Sequence, residues 1–282
     1  MLVFAYGSNL DADDLGSWLR GRGELPAARG RAWLPDHRLA FHYRSESRGG
    51  GALDVVPELG ALVPGALLRV PRRTLRLLDG KEGVAAGRYA RVPVAVLTEA
   101  GRVLRALTYR VRPERVERAL VAPTDAYVAA CRRGLERFRQ PHDALDAAMH
   151  GAPAPAVANA LFVYGSLRRG ASEAGRLTNF PRRAARVRGR LLDLGAYPGL
   201  VAGAGEVVGE LVRLASARDA AKHFDALDPY EDFEGYDALD RSLYHRGLVR
   251  TRAGELAWTY VFRGDPRGQD VPGGDWLTRP GA

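Results

Sequence analysis

The 282-residue chain is poor in cysteine, lysine and methionine and has no long apolar run. Cys131 stands alone, which excludes an intrachain disulfide and a cysteine-based zinc cluster; its apolar place in an expected helix assigns it to packing rather than reactivity. No segment approaches the roughly 18 consecutive apolar residues of a membrane span. The start, Met1-Leu2-Val3-Phe4-Ala5-Tyr6-Gly7, is too short and lacks the positive flank of a secretory leader. A soluble, cytoplasmic protein without a membrane partner is expected. The six histidines (His37, His42, His142, His150, His223 and His245) form no His-x-x-x-His pair and no Glu-flanked pair, so no metal site is expected. A Gly-x-Ser-x-Gly elbow and a phosphate-binding loop are absent as well.

What is present is a globular composition, 46% hydrophobic and 27% charged, which argues against disorder and for a sizeable core. Basic residues number 42 against 33 acidic, a net charge of +9, yet only Lys81 and Lys222 are lysines. The arginines are scattered in ones and twos, as in Arg72-Arg73, Arg132-Arg133, Arg168-Arg169 and Arg182-Arg183, without the interleaved aromatics of a single-strand platform. They read as a solvated surface, not as a nucleic-acid interface.

The chain length favours two domains, and an internal repeat supports that division. Leu2-Val3-Phe4-Ala5-Tyr6-Gly7-Ser8-Asn9 and Ala160-Leu161-Phe162-Val163-Tyr164-Gly165-Ser166-Leu167 are both short buried-type strands running into Tyr-Gly-Ser, 158 residues apart (164 − 6). Each copy then carries a small-residue cluster (Gly50 to Pro57, Gly195 to Val201) and a strand (Gly65 to Val70, Gly209 to Leu214). A helix follows that ends in Leu-Asp-x-x-Glu, reaching Glu82 and Glu231, and after it comes Tyr-x-Arg, at Tyr89 and Arg91 and at Tyr244 and Arg246. The Tyr-Gly-Ser to Glu spacing is 76 residues in one copy (82 − 6) and 67 in the other (231 − 164). Order is kept while loop lengths drift, as diverged copies of one fold should behave.

Pro141, Gly151, Pro153 and Pro155 mark a boundary region over residues 141–158, and the expected domains are 1–148 and 159–282 joined by a linker over 149–158. Thr124 should cap a helix carrying Tyr127, Cys131, Leu135 and Phe138 on one face. Asp11 should cap another, with Leu15, Trp18 and Leu19 buried and Gly21 ending it. Short strands fill the rest, and each half reads as α+β, a small curled or barrel-like mixed sheet with flanking helices.

The repeated residues carry chemistry. A glycine after a strand lets a ligand approach the backbone, and the amides that follow form a small anion nest. An ordinary turn would look the same once, but its recurrence after the same strand favours a site at Tyr6, Gly7, Ser8 and Asn9 and at Tyr164, Gly165, Ser166 and Leu167. Glu82 and Glu231, preceded by apolar residues, are candidate general bases rather than surface carboxylates because the motif is repeated. Asp79 and Asp228 read as capping or turn residues before second acids. Arg91 and Arg246 either grip a substrate carboxylate or pair with a neighbouring acid. Tyr89 and Tyr244 share their arginines' face by strand alternation, and either pack in the core or lend a hydroxyl to the site.

In this order, Tyr-Gly-Ser-Asn, Gly-Gly-Ala-x-Asp-Val, Leu-Asp-x-x-Glu-Gly and Tyr-x-Arg resemble the γ-glutamylcyclotransferase family. The second half, with Tyr-Gly-Ser-Leu-Arg-Arg-Gly, Ala-Tyr-Pro-Gly-Leu-Val, Gly-Glu-Leu and Asp-x-Tyr-Glu, is similar to its AIG2-like and butirosin-deprotecting (BtrG-like) branch. The resemblance implies two tandem γ-glutamylcyclotransferase-like domains, each a small mixed β-barrel with flanking helices. It implies a cofactor-free enzyme that releases an amine, amino acid or peptide from a small-molecule γ-glutamyl substrate as the glutamyl part closes to 5-oxoproline. Glu82 and Glu231 would be the bases, and the two Tyr-Gly-Ser loops would cradle the substrate. Leu167 replaces Asn9, and Tyr230 replaces Lys81 before the glutamate, so the two pockets should differ; each keeps its glutamate, and both are expected to be competent. The alternative is a non-catalytic protein that binds a small carboxylate in the same pockets. Oligomeric state is not legible in the sequence.

Overall fold

In the computed structural model, which describes residues 1–99, 101–155, 157–214 and 217–279, the chain divides into two compact units. One holds residues 1–98 and 103–155, the other residues 99–102 and 156–282. The first unit runs β1 (Leu2–Ala5), α1 (Ala12–Leu19), β2 (Ala27–Ser45), β3 (Gly50–Arg69), α2 (Arg72–Lys81), β4 (Tyr89–Thr98), β5 (Val103–Val111), α3 (Asp125–Arg137) and α4 (Asp143–Met149). Its strands close into a barrel in the order β1-β3-β2-β4-β5. β1 lies antiparallel to β3 and parallel to β5, which makes the sheet mixed. The β2–β3 ribbon is long for a small barrel, and its register shifts at Ala28/Gly30, Pro35/His37 and Ala40/Tyr43. Such bulges bend and twist a ribbon enough to curl it around a core, here filled by Phe4, Leu34, Phe41, Val55, Leu67 and Val96.

The helices start and stop where the side chains allow. The Asp11 carboxylate accepts from the Asp13 N–H at the head of α1, Leu15 and Leu19 are buried, and the chain leaves through Gly21 at φ 70°. Thr124 caps α3, whose Tyr127, Cys131 and Leu135 are buried. Within the Pro/Gly-interrupted stretch, residues 143–149 form α4, because Ala144, Leu145 and Ala148 bury themselves against the first core.

The second unit runs β6 (Ala160–Val163), β7 (Arg182–Asp193), β8 (Pro198–Arg213), α5 (Ala217–Tyr230), β9 (Tyr244–Arg250), β10 (Leu256–Phe262) and β11 (Gln269–Asp270). Its sheet is ordered β11-β7-β8-β6-β10-β9. Apart from the extra edge strand β11, this is the order of the first unit. The seam is thinner: a single bridge, Val187 to Thr251, stands where the first barrel pairs Ala32 with Thr98 and Trp33 with Leu97. The chain is therefore α+β, a closed mixed barrel followed in tandem by a mixed half-barrel, with flanking helices.

The interiors repeat in detail. The Thr108 hydroxyl donates to Phe4 O at 2.9 Å and that of Thr259 to Phe162 O at 3.0 Å. Gly65 and Gly209 each pass so close to a strand-end carbonyl, that of Ala5 or Val163, that a Cβ would collide with it. Among the described residues no helix is long and apolar enough to cross a membrane.

Candidate active site

Both site helices end in the same way. After α2, Gly83 N–H bonds to Gly80 O and Val84 N–H to Asp79 O; after α5, Asp232 N–H bonds to Pro229 O and Phe233 N–H to Asp228 O. This is the Schellman pattern, with Glu82 and Glu231 at the last residue before a left-handed one. Gly83 takes that conformation at φ 63° freely, whereas Asp232 holds φ 51° with a side chain. The reversal turns each glutamate into a cavity instead of leaving it on the helix surface.

Each cavity belongs to one unit. The first, about 70 Å³, is lined by Tyr6, Gly7, Ser8, Asn9 and Glu82 together with Arg48, Lys81, Arg88, Tyr89, Tyr109 and Tyr127. The second, about 210 Å³, is lined by Tyr164, Gly165, Ser166, Leu167 and Glu231 together with Tyr197, Pro198, Tyr230, Leu243, Tyr244 and Tyr260. Thus the Tyr-Gly-Ser turn, the Leu-Asp-x-x-Glu carboxylate and the tyrosine of Tyr-x-Arg meet in both halves.

The tyrosines form a frame rather than a set of free hydroxyls. Tyr6 donates to Tyr109 O at 2.6 Å and Tyr164 to Tyr260 O at 2.7 Å. Tyr89 donates to Leu53 O and Tyr244 to Pro198 O, both at 2.8 Å. Burial pushes all four hydroxyls up from their ordinary range, so they serve as neutral donors. Tyr89 and Tyr244 thereby line the cavity with their rings while their protons are held by backbone.

Electrostatics separate the two cavities. In the first, Asn9 Nδ2 donates to Glu82 Oε1 at 2.8 Å, and Lys81 Nζ donates to Asn9 Oδ1 at 2.7 Å and to Asp14 Oδ2 at 3.0 Å. Arg48 grips Asp14 with two bonds at 2.7 and 2.8 Å and reaches Ser8 Oγ at 3.0 Å. Burial opposes ionisation of Asp14, but Arg48 and Lys81 outweigh it and hold the carboxyl well below its usual range. In the second, Leu167 replaces the amide, and no hydrogen bond reaches the Glu231 carboxylate among the described residues. Burial first, and the Asp228 charge second, raise its pKa to about 8 against a small opposing pull from Arg176. A carboxyl in this state is poised near neutral pH for proton transfer.

Arg91 and Arg246 lie outside the two linings. Arg91 donates to Asp79 Oδ2 at 2.6 Å, and Arg246 lies 2.8 Å from Asp228 Oδ1. Tyr109 and Tyr260 complete the pattern by donating to the same aspartates at 2.8 and 2.6 Å. Each half therefore carries an Asp–Arg–Tyr cluster that ties the helix bearing the glutamate to the two strands beside it. Arg246 is fully buried, its guanidinium 4.4 Å from the Phe224 ring and 5.5 Å from that of Trp258.

Sequence reasoning missed Tyr109 and Tyr260, although Thr108-Tyr109 and Thr259-Tyr260 are a further repeated dipeptide that would have exposed them. Tyr127 and Tyr197 stood within a named helix face and a quoted motif but were not assigned to the site, and Arg48 was not singled out at all.

The family model described as "Gamma-glutamyl cyclotransferase, AIG2-like" matches residues 3–129 and 161–278. Over 127 residues, 42% of this chain and 96% of the relative, the chain is 35% identical to the gamma-glutamylcyclotransferase family protein YtfP of Escherichia coli strain K12. Among solved structures, a gamma-glutamyl cyclotransferase is 26% identical with a TM-score of 0.44, covering 50% of this chain and 80% of that one. YkqA from Bacillus subtilis is 27% identical with a TM-score of 0.46, covering 55% of each chain.

Proposed function

Because the chain belongs to the gamma-glutamyl cyclotransferase, AIG2-like family, whose activity is cyclotransferase chemistry in general, we propose that both of its cavities release an amine-bearing group from γ-glutamyl compounds with formation of 5-oxoproline. The observation that carries this reading is the doubled meeting of a helix-terminal glutamate with a Tyr-Gly-Ser turn in one cavity.

The chemistry needs little from the protein beyond a base, oxyanion donors and a folded substrate. The α-nitrogen of the glutamyl group attacks its own γ-carbonyl, a C–N bond forms, the original amide C–N bond breaks, and a five-membered lactam results without water being consumed. Two protons leave the α-ammonium and two reach the departing nitrogen, which exits as an ammonium. Glu82 and Glu231 are the relays in this scheme. In the second cavity, an incoming α-ammonium would draw Glu231 back to its ionised form, since an opposite charge stabilises a buried carboxylate. The amides of residues 6–9 and 164–167 would receive the substrate's carboxylate and the developing oxyanion, where one donor is typically worth about 3–4 kcal/mol. Holding the chain folded adds more, because effective molarities of intramolecular steps reach about 10⁵–10⁸ M.

The test is incubation with γ-glutamyl amino acids, γ-glutamylamines and glutathione, with 5-oxoproline measured by mass spectrometry. Turnover is expected for the wild type, reduced turnover for Glu82→Gln and for Glu231→Gln, and loss for the double variant. Full activity in the double variant would reject both bases, and absence of 5-oxoproline from the wild type would reject the activity.

A further inference from the structure

The two cavities share the parts that would hold a γ-glutamyl group and differ in the parts that would face whatever leaves it. Three positions equivalent by motif show the difference. After Tyr-Gly-Ser stand Asn9 and Leu167; before the glutamate, Lys81 and Tyr230; before the tyrosine of Tyr-x-Arg, Arg88 and Leu243. All six side chains line their cavities. Every exchange runs the same way, from polar or cationic in the first half to apolar or aromatic in the second.

Charge follows. The first lining contains Arg48, Lys81 and Arg88 against one carboxylate, Glu82; the second contains Glu231 and Asp232 and no basic side chain. Arg48 and Lys81 are drawn to Asp14. Arg88 is held less firmly: its ion pair with Glu46 is 3.5 Å long and open to solvent on both sides, so it contributes little. Arg88 is therefore the cation most available to a ligand. In the second half Leu243 fills that place, while Tyr197 packs edge-on against Tyr244 much as Tyr43 packs against Tyr89 in the first. The second cavity is also the larger, about 210 Å³ against about 70 Å³.

We propose that the two pockets divide γ-glutamyl compounds by the charge of the leaving group. The first takes leaving groups that carry a free carboxylate, the second takes apolar or aromatic amines that carry none, and Arg88 and Leu243 are the deciding pair. This division rests on the cyclotransferase reading above. Its physical basis is that a carboxylate entering the second cavity would lose hydration with no basic side chain in the lining to compensate, whereas in the first it gains a charge-assisted bond from Arg88.

The experiment uses the full chain with one pocket silenced at a time, Glu231→Gln leaving the first and Glu82→Gln the second. γ-Glutamylalanine and γ-glutamylbenzylamide are the two probes. The Glu231→Gln chain should prefer the alanine compound, and the Glu82→Gln chain the benzylamide, each by about tenfold in kcat/KM. Adding Arg88→Leu to the first should erase its preference mainly through KM, and adding Leu243→Arg to the second should invert its preference, with thermal melting confirming that each variant is folded. Equal preferences in the two silenced chains, or an unchanged ratio after Arg88→Leu, would overturn the division while leaving the cyclotransferase activity standing. If the wild type makes no 5-oxoproline from either probe, the activity itself fails. Calorimetric titration with glutarylalanine and glutarylbenzylamide, which lack the α-amine and cannot cyclise, then decides the division alone. Weaker binding of the first on Arg88→Leu and of the second on Leu243→Arg supports it, and indifference to both substitutions overturns it.

Discussion

Glu82 and Glu231 occupy the same place at the ends of two helices, yet one accepts a hydrogen bond from Asn9 and the other faces Leu167 across a cavity of tyrosine rings. Two predictions follow from the unpaired carboxylate. With Glu82→Gln silencing the first pocket, kcat/KM should fall as pH drops below about 8, approaching tenfold per unit, because the base must be ionised in the free enzyme. A flat profile between pH 6 and 9 would remove Glu231 from that role. The second concerns stability. A carboxyl raised from 4.5 to about 8 binds its proton more tightly when folded, so its contribution is full below pH 4.5 and is lost as pH rises through about 8. Glu231→Gln should therefore stabilise the protein by a few kcal/mol, up to about 5, at pH 8.5 and leave it nearly unchanged at pH 4. Urea unfolding at the two pH values measures the difference. The identity of both glutamates was legible because Leu-Asp-x-x-Glu is a local pattern that occurs twice. The difference in their surroundings was not, since it depends on residues 73 and 64 positions away in sequence, Asn9 and Leu167.

At the scale of elements, the Asp–Arg–Tyr clusters join α2 to β4 and β5 and α5 to β9 and β10. The two arginines have the same partners but different environments: the Arg91 side chain is 35% exposed, that of Arg246 is 1% exposed. Exposed ion pairs contribute about 0–1 kcal/mol, while removing one member of a buried pair costs roughly 3–5 kcal/mol. Arg91→Met is therefore expected to change the unfolding free energy by less than about 1 kcal/mol, and Arg246→Met to destabilise by about 3 kcal/mol or more. Thermal or denaturant melts of the two variants compare them directly, and equal effects would contradict the assignment. The sequence left these arginines between a substrate clamp and a partner for an acid. The second role is what the fold builds, because each arginine is brought within hydrogen-bond distance of the aspartate on its half's helix.

At the scale of the whole molecule, each cavity is lined by one unit, and each unit has a core of its own. Sites without shared partners act additively. On a mixture of substrates, the rates of the Glu82→Gln and Glu231→Gln chains should therefore sum to that of the wild type. A sum well below the wild-type rate in 5-oxoproline assays would mean that the pockets depend on one another.

Duplication, the α+β class, the helix caps at Asp11 and Thr124 and the recurring glutamates could all be taken from residue order, because each depends on neighbours close along the chain. Barrel closure through two residue pairs in one half and a single isolated bridge in the other, the frame of tyrosines bonded to backbone, and the isolation of Glu231 were decided only on folding. They depend on which distant groups exclude water from a given carboxyl or carbonyl, and desolvation is a property of the packed neighbourhood rather than of any segment within it.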